Sequence, residues 1–356
     1  ELMDRMFKTG LIKERVIRGE VICSFADILV RDVVYDDVSP LKRKKLHGVV
    51  GDALEKVYAK KIDEHFGELA SHFVESGEKD KALDYFLRAG EKAVSVHANI
   101  EAISYFQSAL KLLEEKDGEL RERGRVLEML GDIKSIVGEY DTCIKYWNDS
   151  LLLWTQLNEK GKTSRLHRKM ANVFWNRMGK TGEAKYHHDK ALKILESEPE
   201  NVELATLYED ICRMLWRTGD LATARSWAEK ALELAKKLNA HEVIASAYID
   251  LGTISSYAGE DLKRSVEYLE RALKIVLDNG YMDSALRAYN NLAAFLPAEE
   301  HERILECQEK GFELAKKVGD ILHQSWIGIN LADTYVGIGN VGKAMLLVEE
   351  SVALDR

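Results

Sequence analysis

The chain has 356 residues, 46% of them hydrophobic and only 3 of them proline, and its formal net charge is −9 at pH 7. This composition excludes disorder throughout, favours helix over most of the length and argues against sandwiches and barrels, which need frequent turn residues. Residues 61–356 carry 39 Lys and Arg against 50 Asp and Glu. Such an acidic body argues against a nucleic-acid partner, because binding to phosphates depends on cations.

Cysteine usage and hydropathy predict the compartment. The four cysteines lie at least 69 residues apart with no Cys-x-x-Cys pair, which indicates neither a disulfide framework nor a zinc site. No apolar run approaches the ~20 residues of a membrane span. There is no signal peptide either, so we expect a soluble, cytoplasmic protein without a membrane partner. Because the sequence starts at Glu1 within an amphipathic pattern, we expect it to be part of a longer protein.

The first 60 residues predict a small mixed domain. Two short strands are predicted at residues 15–17 and 21–25, with a turn at 18–20. Ser39 and Pro40 then predict a helix start, with serine as the N-cap and proline at the first helical position. A hairpin set between helices is typical of a winged helix. The domains that we predict are a winged helix at 1–60, linker helices at 61–122 and a repeat domain at 123–356.

Beyond these residues the sequence repeats. A small residue on an apolar helical stripe recurs with gaps of 20, 41, 40, 41, 40, 41 and 39 residues, and a glycine often follows it seven residues later. The first gap is half a period, so we expect one helix there to serve two neighbours. These anchor positions are Ala70, Gly90, Gly131, Ala171, Cys212, Gly252, Ala293 and Ala332.

Each period predicts two antiparallel helices. The small anchor lets the helices approach closely, and the glycine ends the first helix because a left-handed conformation costs glycine little. No unit closes a core alone, so the units stack. The pattern resembles the tetratricopeptide repeat over residues 63–356, in the longer form found in the sensor of the maltose-responsive transcription activator. The resemblance implies an all-α, tetratricopeptide-like α–α superhelix.

A second resemblance lies in the first domain. The segments FADILVRDVVY at 25–35 and LKRKKLH at 41–47 resemble the winged-helix signature of signal-transduction ATPases with numerous domains (STAND). That family usually has Arg-His where this chain has Ala26 and Asp27. The resemblance implies an upstream nucleotide-binding module in the same protein, which holds ATP or ADP with Mg²⁺ and oligomerises on activation. We expect no cofactor in the present chain.

Several short motifs lack the context that their chemistry needs. Gly-Lys-Thr occurs at 161–163 and 179–181, both predicted in turns between helices, but neither has the earlier glycine of a phosphate-binding loop. The G-x-G-x-x-G pattern at 337–342 follows a predicted helix instead of a strand. His187 and His188 point apart on a helix, so we expect no metal site there, and we expect His188 to be a hydrogen-bonded packing residue. We find no catalytic set of side chains and expect no catalysis.

The candidate ligand site lies on the first helix of each repeat. In this repeat family that helix lines the concave side, and its exposed stripe falls three residues before the anchor, one after it and four after it. Exposed tryptophan with arginine suits recognition of an anionic or polar ligand, and Arg165 and Arg287 extend the cationic side. The alternative is that the tryptophans pack between helices and the arginines only bridge repeats. The predicted site is Arg168, Asn172, Trp175, Glu209, Arg213, Trp216 and Asn290.

These features lead to one function hypothesis and one alternative. The first is a ligand- or protein-sensing repeat domain whose winged helix regulates an upstream STAND-type ATPase. The stimulus, a small molecule or a protein, must then bind one state of the protein better than the other. The alternative is a constitutive scaffold that binds peptides in the concave groove. On the first hypothesis, we expect replacement of Arg213 or Trp216 to abolish sensing and leave the fold intact.

Overall fold

The computed structural model describes residues 2–17, 20–116 and 118–354. Contacts between residues divide the chain into two units, Glu1–Leu153 and Trp154–Arg356. The division falls inside one helix, and each unit has its own set of contacts. The domain boundaries predicted at residues 60 and 122 stay predictions.

The first unit begins with a helix and a hairpin. Helix α1 (Leu2–Lys8) precedes strands β1 (Ile12–Ile17) and β2 (Glu20–Phe25), which pair antiparallel with Ile12 opposite Phe25. The predicted hairpin is confirmed, but both strands are longer than predicted because the ladder continues from Ile17 and Glu20 to Ile12 and Phe25. The turn residues Arg18 and Gly19 lie outside the described residues.

Two helices follow the hairpin, α2 (Ile28–Asp37) and α3 (Pro40–Val57). Pro40 takes the predicted first position of α3, where its missing N–H leaves no donor unpaired. Ser39 is the N-cap residue, as predicted, but its side chain makes no capping hydrogen bond. The start of α3 therefore depends on proline geometry.

Five further helices begin in the first unit. A short 3₁₀ helix, Ile62–His65, precedes them. Their cores contain the fully buried rings of Phe73 and Phe106. The helix at Lys79–Ser95 contacts both the helix before it and the helix after it, as the half-period gap predicts. Gly90 on this helix packs against Phe106. The helices are α4 (Phe66–Ser76), α5 (Lys79–Ser95), α6 (Asn99–Glu114), α7 (Leu120–Ile136) and α8 (Tyr140–Gln156).

The second unit consists of five helix pairs. The first helices of the first four pairs contact one another in chain order. The pairs are α9 (Lys160–Asn176) with α10 (Thr181–Leu195), α11 (Val202–Arg217) with α12 (Leu221–Lys237), α13 (His241–Tyr257) with α14 (Leu262–Asn279), α15 (Met282–Phe295) with α16 (His301–Val318), and α17 (Ile321–Gly337) with α18 (Val341–Leu354).

The anchors and turn glycines behave as the period predicts. Ala171 and Cys212 are fully buried at the middle of their helices. The glycines after α7, α9, α11, α13 and α17 all have positive φ, for example +95° at Gly219, where a side chain would be strained. The turn after α15 has no glycine, and Ala293 is only partly buried. The repeat of α15 and α16 therefore follows the pattern less closely than its neighbours.

The short motifs take simple structural positions. Residues 161–163 lie in the first turn of α9, so their predicted place in an inter-helix turn is wrong. Residues 179 and 180 do lie between α9 and α10, and Thr181 begins α10. The pattern at 337–342 joins α17 to α18. Within the described part of the chain, no helix is long and apolar enough to cross a membrane.

We expect Gly131→Leu to destabilise the first unit by roughly 1–3 kcal/mol or more. A Cβ atom at residue 131 would lie 2.3 Å from Cδ1 of Trp147. That ring is buried, and its Nε1 donates to Asp132 Oδ1 at 2.9 Å, so it has little freedom to move. Urea unfolding followed by circular dichroism measures the loss.

Gly161→Leu is the matched control for this substitution. A Cβ atom at residue 161 meets no atom within 4 Å, so we expect this variant to unfold like the parent. Equal midpoints for both variants would contradict the close approach at the Gly131 anchor.

Candidate functional site

A cavity of about 460 Å³ opens on the face formed by α9, α11, α13 and α15, which we call the first-helix face. Four predicted site residues line it: Arg168, Asn172, Glu209 and Arg213. Its volume is within the range of small-molecule sites. Further lining residues that matter below are Asp210, Glu242, Ser246, Asp283 and Arg287.

Arg168 joins the first two helices of this face. Its Nε donates to Glu203 Oε1 and its guanidinium donates to Asp210 Oδ2, each at 2.8 Å. Asp210 is fully buried, and it also accepts from Arg213 at 2.5 Å. Burial raises the pKa of Asp210, but the two guanidinium groups lower it further than burial raises it, so this pKa lies below its ordinary value. Asp210 is therefore a charged carboxylate that bridges α9 and α11.

Arg213 and Arg287 hold a second pair of carboxylates. Arg213 donates to Glu209 Oε2 at 3.3 Å, and Arg287 lies 3.5 Å from Glu209 Oε1 and donates to Asp250 Oδ1 at 3.0 Å. Burial and then the Glu209 carboxylate raise the pKa of Asp250 to about 7, against the opposing effect of the two arginines. This cluster connects α11, α13 and α15.

Several buried polar atoms in this cluster have no hydrogen-bond partner within the described residues: Glu209 Oε1, Asp250 Oδ2 and Arg213 Nε. Unpaired buried polar groups cost free energy, so they are uncommon in native proteins unless a function retains them. Glu209 and Arg213 also line the cavity. Glu209 Oε1 keeps its ion-pair contact with Arg287 at 3.5 Å, so it lacks only a hydrogen bond. These atoms lie in or beside the space that a ligand would occupy.

The rim of the cavity is acidic. Glu242 and Asp283 begin α13 and α15, are exposed, and make no ion pair that the described residues reveal. The three lining arginines, by contrast, are all paired with carboxylates. The cavity is therefore lined by arginines that already have carboxylate partners, and by two carboxylates at its rim that have no ion pair within the described residues. This arrangement favours a polar ligand with a cationic group over the simple anion that the arginines suggest in the sequence.

The two predicted tryptophans lie beside the cavity and are not among its lining residues. The guanidinium of Arg217 lies 5.4 Å from the ring centre of Trp175 and 5.2 Å from that of Trp216. Trp175 Nε1 donates to Asn172 Oδ1 at 3.2 Å, which connects this group to the cavity. Both indoles are half-buried, so neither of the two expected arrangements, exposed or packed between helices, fully describes them.

The remaining predicted residues lie elsewhere. Asn290 lines a different cavity of about 240 Å³, near Gln308 and Asp333. His188 is buried as expected, but neither ring nitrogen has a hydrogen-bond partner in the described part of the chain, so the expectation of a hydrogen-bonded residue is wrong. Burial lowers its pKa to about 4, which keeps it neutral. No group of three or more metal-ligating side chains occurs in the described ranges.

Sequence reasoning missed Asp210, Asp250 and Arg217. They lie two residues before an anchor or five residues after it, directly beside the positions used for the prediction. At about 100° per residue, the positions used for the prediction lie roughly 40–100° around the helix from the anchor, and the missed residues lie roughly 140–160° from it. A wider stripe would have found these residues, but not the way in which they pair.

The paired helices, the small residues at their crossings and the glycine turns define an all-α, tetratricopeptide-like repeat protein, as predicted. Residues 122–197 and 203–278 match the family model described as tetratricopeptide repeat. These segments run from α7 to α10 and from α11 to α14. No curated protein matches the sequence.

Solved structures with the same fold include sensors and regulators. The apo form of the quorum sensor NprR from B. thuringiensis is 11% identical, with 92% of this chain and 93% of that chain covered and a TM-score of 0.63. The Rap conjugation gene regulator of the plasmid pLS20, in complex with the Phr* peptide, is 11% identical, with coverage of 80% and 75% and a TM-score of 0.58.

A third similar structure is a STAND protein with a tetratricopeptide repeat sensor from Pyrococcus horikoshii. It is 16% identical, with a TM-score of 0.54. The comparison covers 99% of this chain and 51% of that chain, so this chain spans about half the length of that protein. At these identities the likeness establishes the fold alone.

We expect Arg213→Ala to destabilise the second unit by about 3–5 kcal/mol, because it leaves the buried carboxylates of Glu209 and Asp210 with fewer partners. The ion pairs thus change the expectation that this variant leaves the fold intact. Lys237→Ala removes an exposed ion pair with Glu200 and should leave the stability almost unchanged. Thermal and urea unfolding compare the two, and equal stability would show that the buried pairs contribute nothing.

We expect Asp250→Asn to gain stability relative to the parent as pH rises from about 4 to about 7. Buried histidines such as His188, whose pKa is lowered, stabilise both proteins over the same range and cancel in the comparison. The raised pKa means that folded Asp250 keeps a proton which the unfolded chain, with an ordinary pKa of 3.8, releases in this range. Because the pKa of Asp210 is lowered, this group changes the stability only at pH values below its ordinary pKa, outside this range. Urea unfolding between pH 4 and pH 8 measures both proteins, and parallel curves would contradict the assignment.

Proposed function

We propose that this chain is the sensor part of a STAND-type ATPase switch and that its stimulus binds in the cavity of the first-helix face. The observation that carries the proposal is a cavity of about 460 Å³ whose lining includes Glu209 and Arg213, both with buried side-chain atoms that have no hydrogen-bond partner within the described residues. A ligand that pairs these atoms removes a cost which the empty site bears. The likeness of nearly the whole chain to a STAND protein with a repeat sensor supports the same class.

The cavity is suited to sensing because four successive first helices contribute to it. Arg168 comes from α9, Arg213 from α11, Ser246 from α13 and Arg287 from α15. A ligand that contacts all four helices favours the arrangement in which their side chains converge. Such a ligand binds one state better than another, which is the physical requirement for a switch.

On this proposal the first 60 residues act as a winged helix that relays the change to an upstream nucleotide-binding module. ATP or ADP with Mg²⁺ belongs to that module, and this chain itself is non-catalytic. The likeness to a regulator in complex with a peptide keeps the alternative of a constitutive peptide-binding scaffold as the second outcome of the test.

The test fills the cavity in the full-length gene product. Ser246 lines the cavity, so Ser246→Trp should occupy the ligand's space. Ser226 is exposed on α12, away from the cavity, and Ser226→Trp is the matched control. ATP hydrolysis is measured with and without a soluble extract of the host cells as the source of stimulus.

We expect the extract to change hydrolysis by the parent and by Ser226→Trp, and to have no effect on Ser246→Trp. Basal hydrolysis should be equal in all three proteins. If none of the three proteins hydrolyses ATP, the ATPase class is rejected and the scaffold is favoured. A response retained by Ser246→Trp would reject the cavity as the sensing site.

A further inference from the structure

A band of aromatic side chains crosses the first-helix face beside the cavity. Trp216 stacks on Tyr257, with ring centres 5.9 Å apart and planes at 22°. Tyr257 meets Phe295 edge-on at 5.7 Å. Tyr257 is 61% exposed, so the band presents an uncovered aromatic surface. We call Trp175, Trp216, Arg217 and Tyr257 the Arg217 platform.

Arg217 differs from the other arginines of this face. Arg168, Arg213 and Arg287 each form ion pairs with carboxylates. Arg217, which is exposed, contacts two indoles and forms no ion pair that the described residues reveal. Partial burial among its neighbours, and then repulsion from Arg213 and Arg287, lowers the pKa of its guanidinium. An anion at this position would therefore be stabilised by a cation that has no other partner.

A second group at the platform also lacks a partner. Trp216 Nε1 is buried and has no hydrogen-bond acceptor within the described residues. Indole N–H groups usually find an acceptor when they are buried. An acceptor at this position would pair the indole, while the neighbouring Tyr257 ring has an exposed face to pack against. The platform thus combines an unpaired cation, an unpaired donor and an aromatic surface.

These features select the chemistry of the partner. The Arg217 guanidinium lies near two indole rings and is exposed, so its N–H groups can donate to a carboxylate, and such charge-assisted bonds are the strong ones. A small inorganic anion would leave the Tyr257 ring uncovered. A peptide with a carboxylate next to an aromatic side chain uses both parts, because tyrosine and tryptophan gain most when a partner covers them.

We propose that the Arg217 platform binds an acidic peptide segment, with a carboxylate of the peptide on Arg217 and an aromatic side chain of the peptide on Tyr257. The acidic rim of the neighbouring cavity repels such a segment, so the platform is a second binding site on the same face. This proposal stands independently of the sensing role of the cavity.

The test measures peptide binding to the whole chain by calorimetry and by tryptophan fluorescence. The probe is an acetylated, amidated hexapeptide of alternating glutamate and phenylalanine, and its neutral counterpart has glutamine in place of glutamate. The variants are Arg217→Gln, Arg217→Lys and Arg271→Gln. The last removes an exposed arginine of α14 and serves as the charge-matched control.

We expect the acidic peptide to bind the parent and Arg271→Gln, and to bind less tightly as salt is added. Arg217→Gln should weaken binding roughly tenfold or more, and Arg217→Lys by less, because lysine keeps the charge and loses the planar fork. Since Arg217 holds no buried carboxylate, Arg217→Gln should melt at the temperature of the parent.

Three results would overturn the proposal. If the glutamine peptide binds as tightly as the glutamate peptide, the charge of the peptide has no role in binding. Full competition by sodium sulfate or acetate at the same concentration would define a small-anion site. Loss of peptide binding in Ser246→Trp would place the peptide in the cavity instead, whereas retained binding supports a separate platform and leaves the sensing role of the cavity to its own test.

Discussion

The first-helix face depends on pairing of buried charges. Moving an ion from water into a protein interior costs several kcal/mol, and only a close partner of opposite charge with good hydrogen bonds offsets that cost. Asp210 is fully buried and charged, so it needs its arginines at hydrogen-bond distance. Asp250 is also fully buried, but its pKa is raised to about 7, and it accepts a hydrogen bond from a further arginine. The partners come from neighbouring repeats: Arg168 is on α9 and Arg287 on α15. The ion pairs therefore fix how successive first helices face one another, and the cavity lies where they converge.

Close approach of the helices makes these pairs reachable. Ala171 and Cys212 are fully buried at the helix crossings, and each has a small side chain that keeps the helices near. At Gly131 in the first unit the packing leaves no room for a side chain, since a Cβ atom there would overlap Trp147. Small residues at a fixed period thus determine the distance between helices, and the charged residues beside them determine which polar contacts that distance allows.

The sequence predicts the distance between helices much better than the polar contacts between them. A period near 40 and a glycine at the end of a first helix are local signals, and each has a backbone cause that one repeat contains. They were enough for the fold class and for four cavity residues. The pairing of Arg168 on α9 with Asp210 on α11 was beyond prediction, because it depends on the rotation of each helix about its axis. A rotation of one residue position, about 100°, decides whether a side chain faces the cavity or the next helix.

This difference explains why residue type alone misassigned the arginines. Arg213 and Arg217 lie one turn apart on α11, and the sequence prediction included only Arg213 as a cation available to a ligand. Arg213 lies beside buried Glu209 and Asp210, so its charge balances carboxylates that would otherwise destabilise the fold. Arg217 lies between indoles, which attract a cation without neutralising it. The same residue type therefore stabilises the array at one turn of the helix and remains free to bind an anion at the next, and only the neighbours of each guanidinium distinguish the two roles.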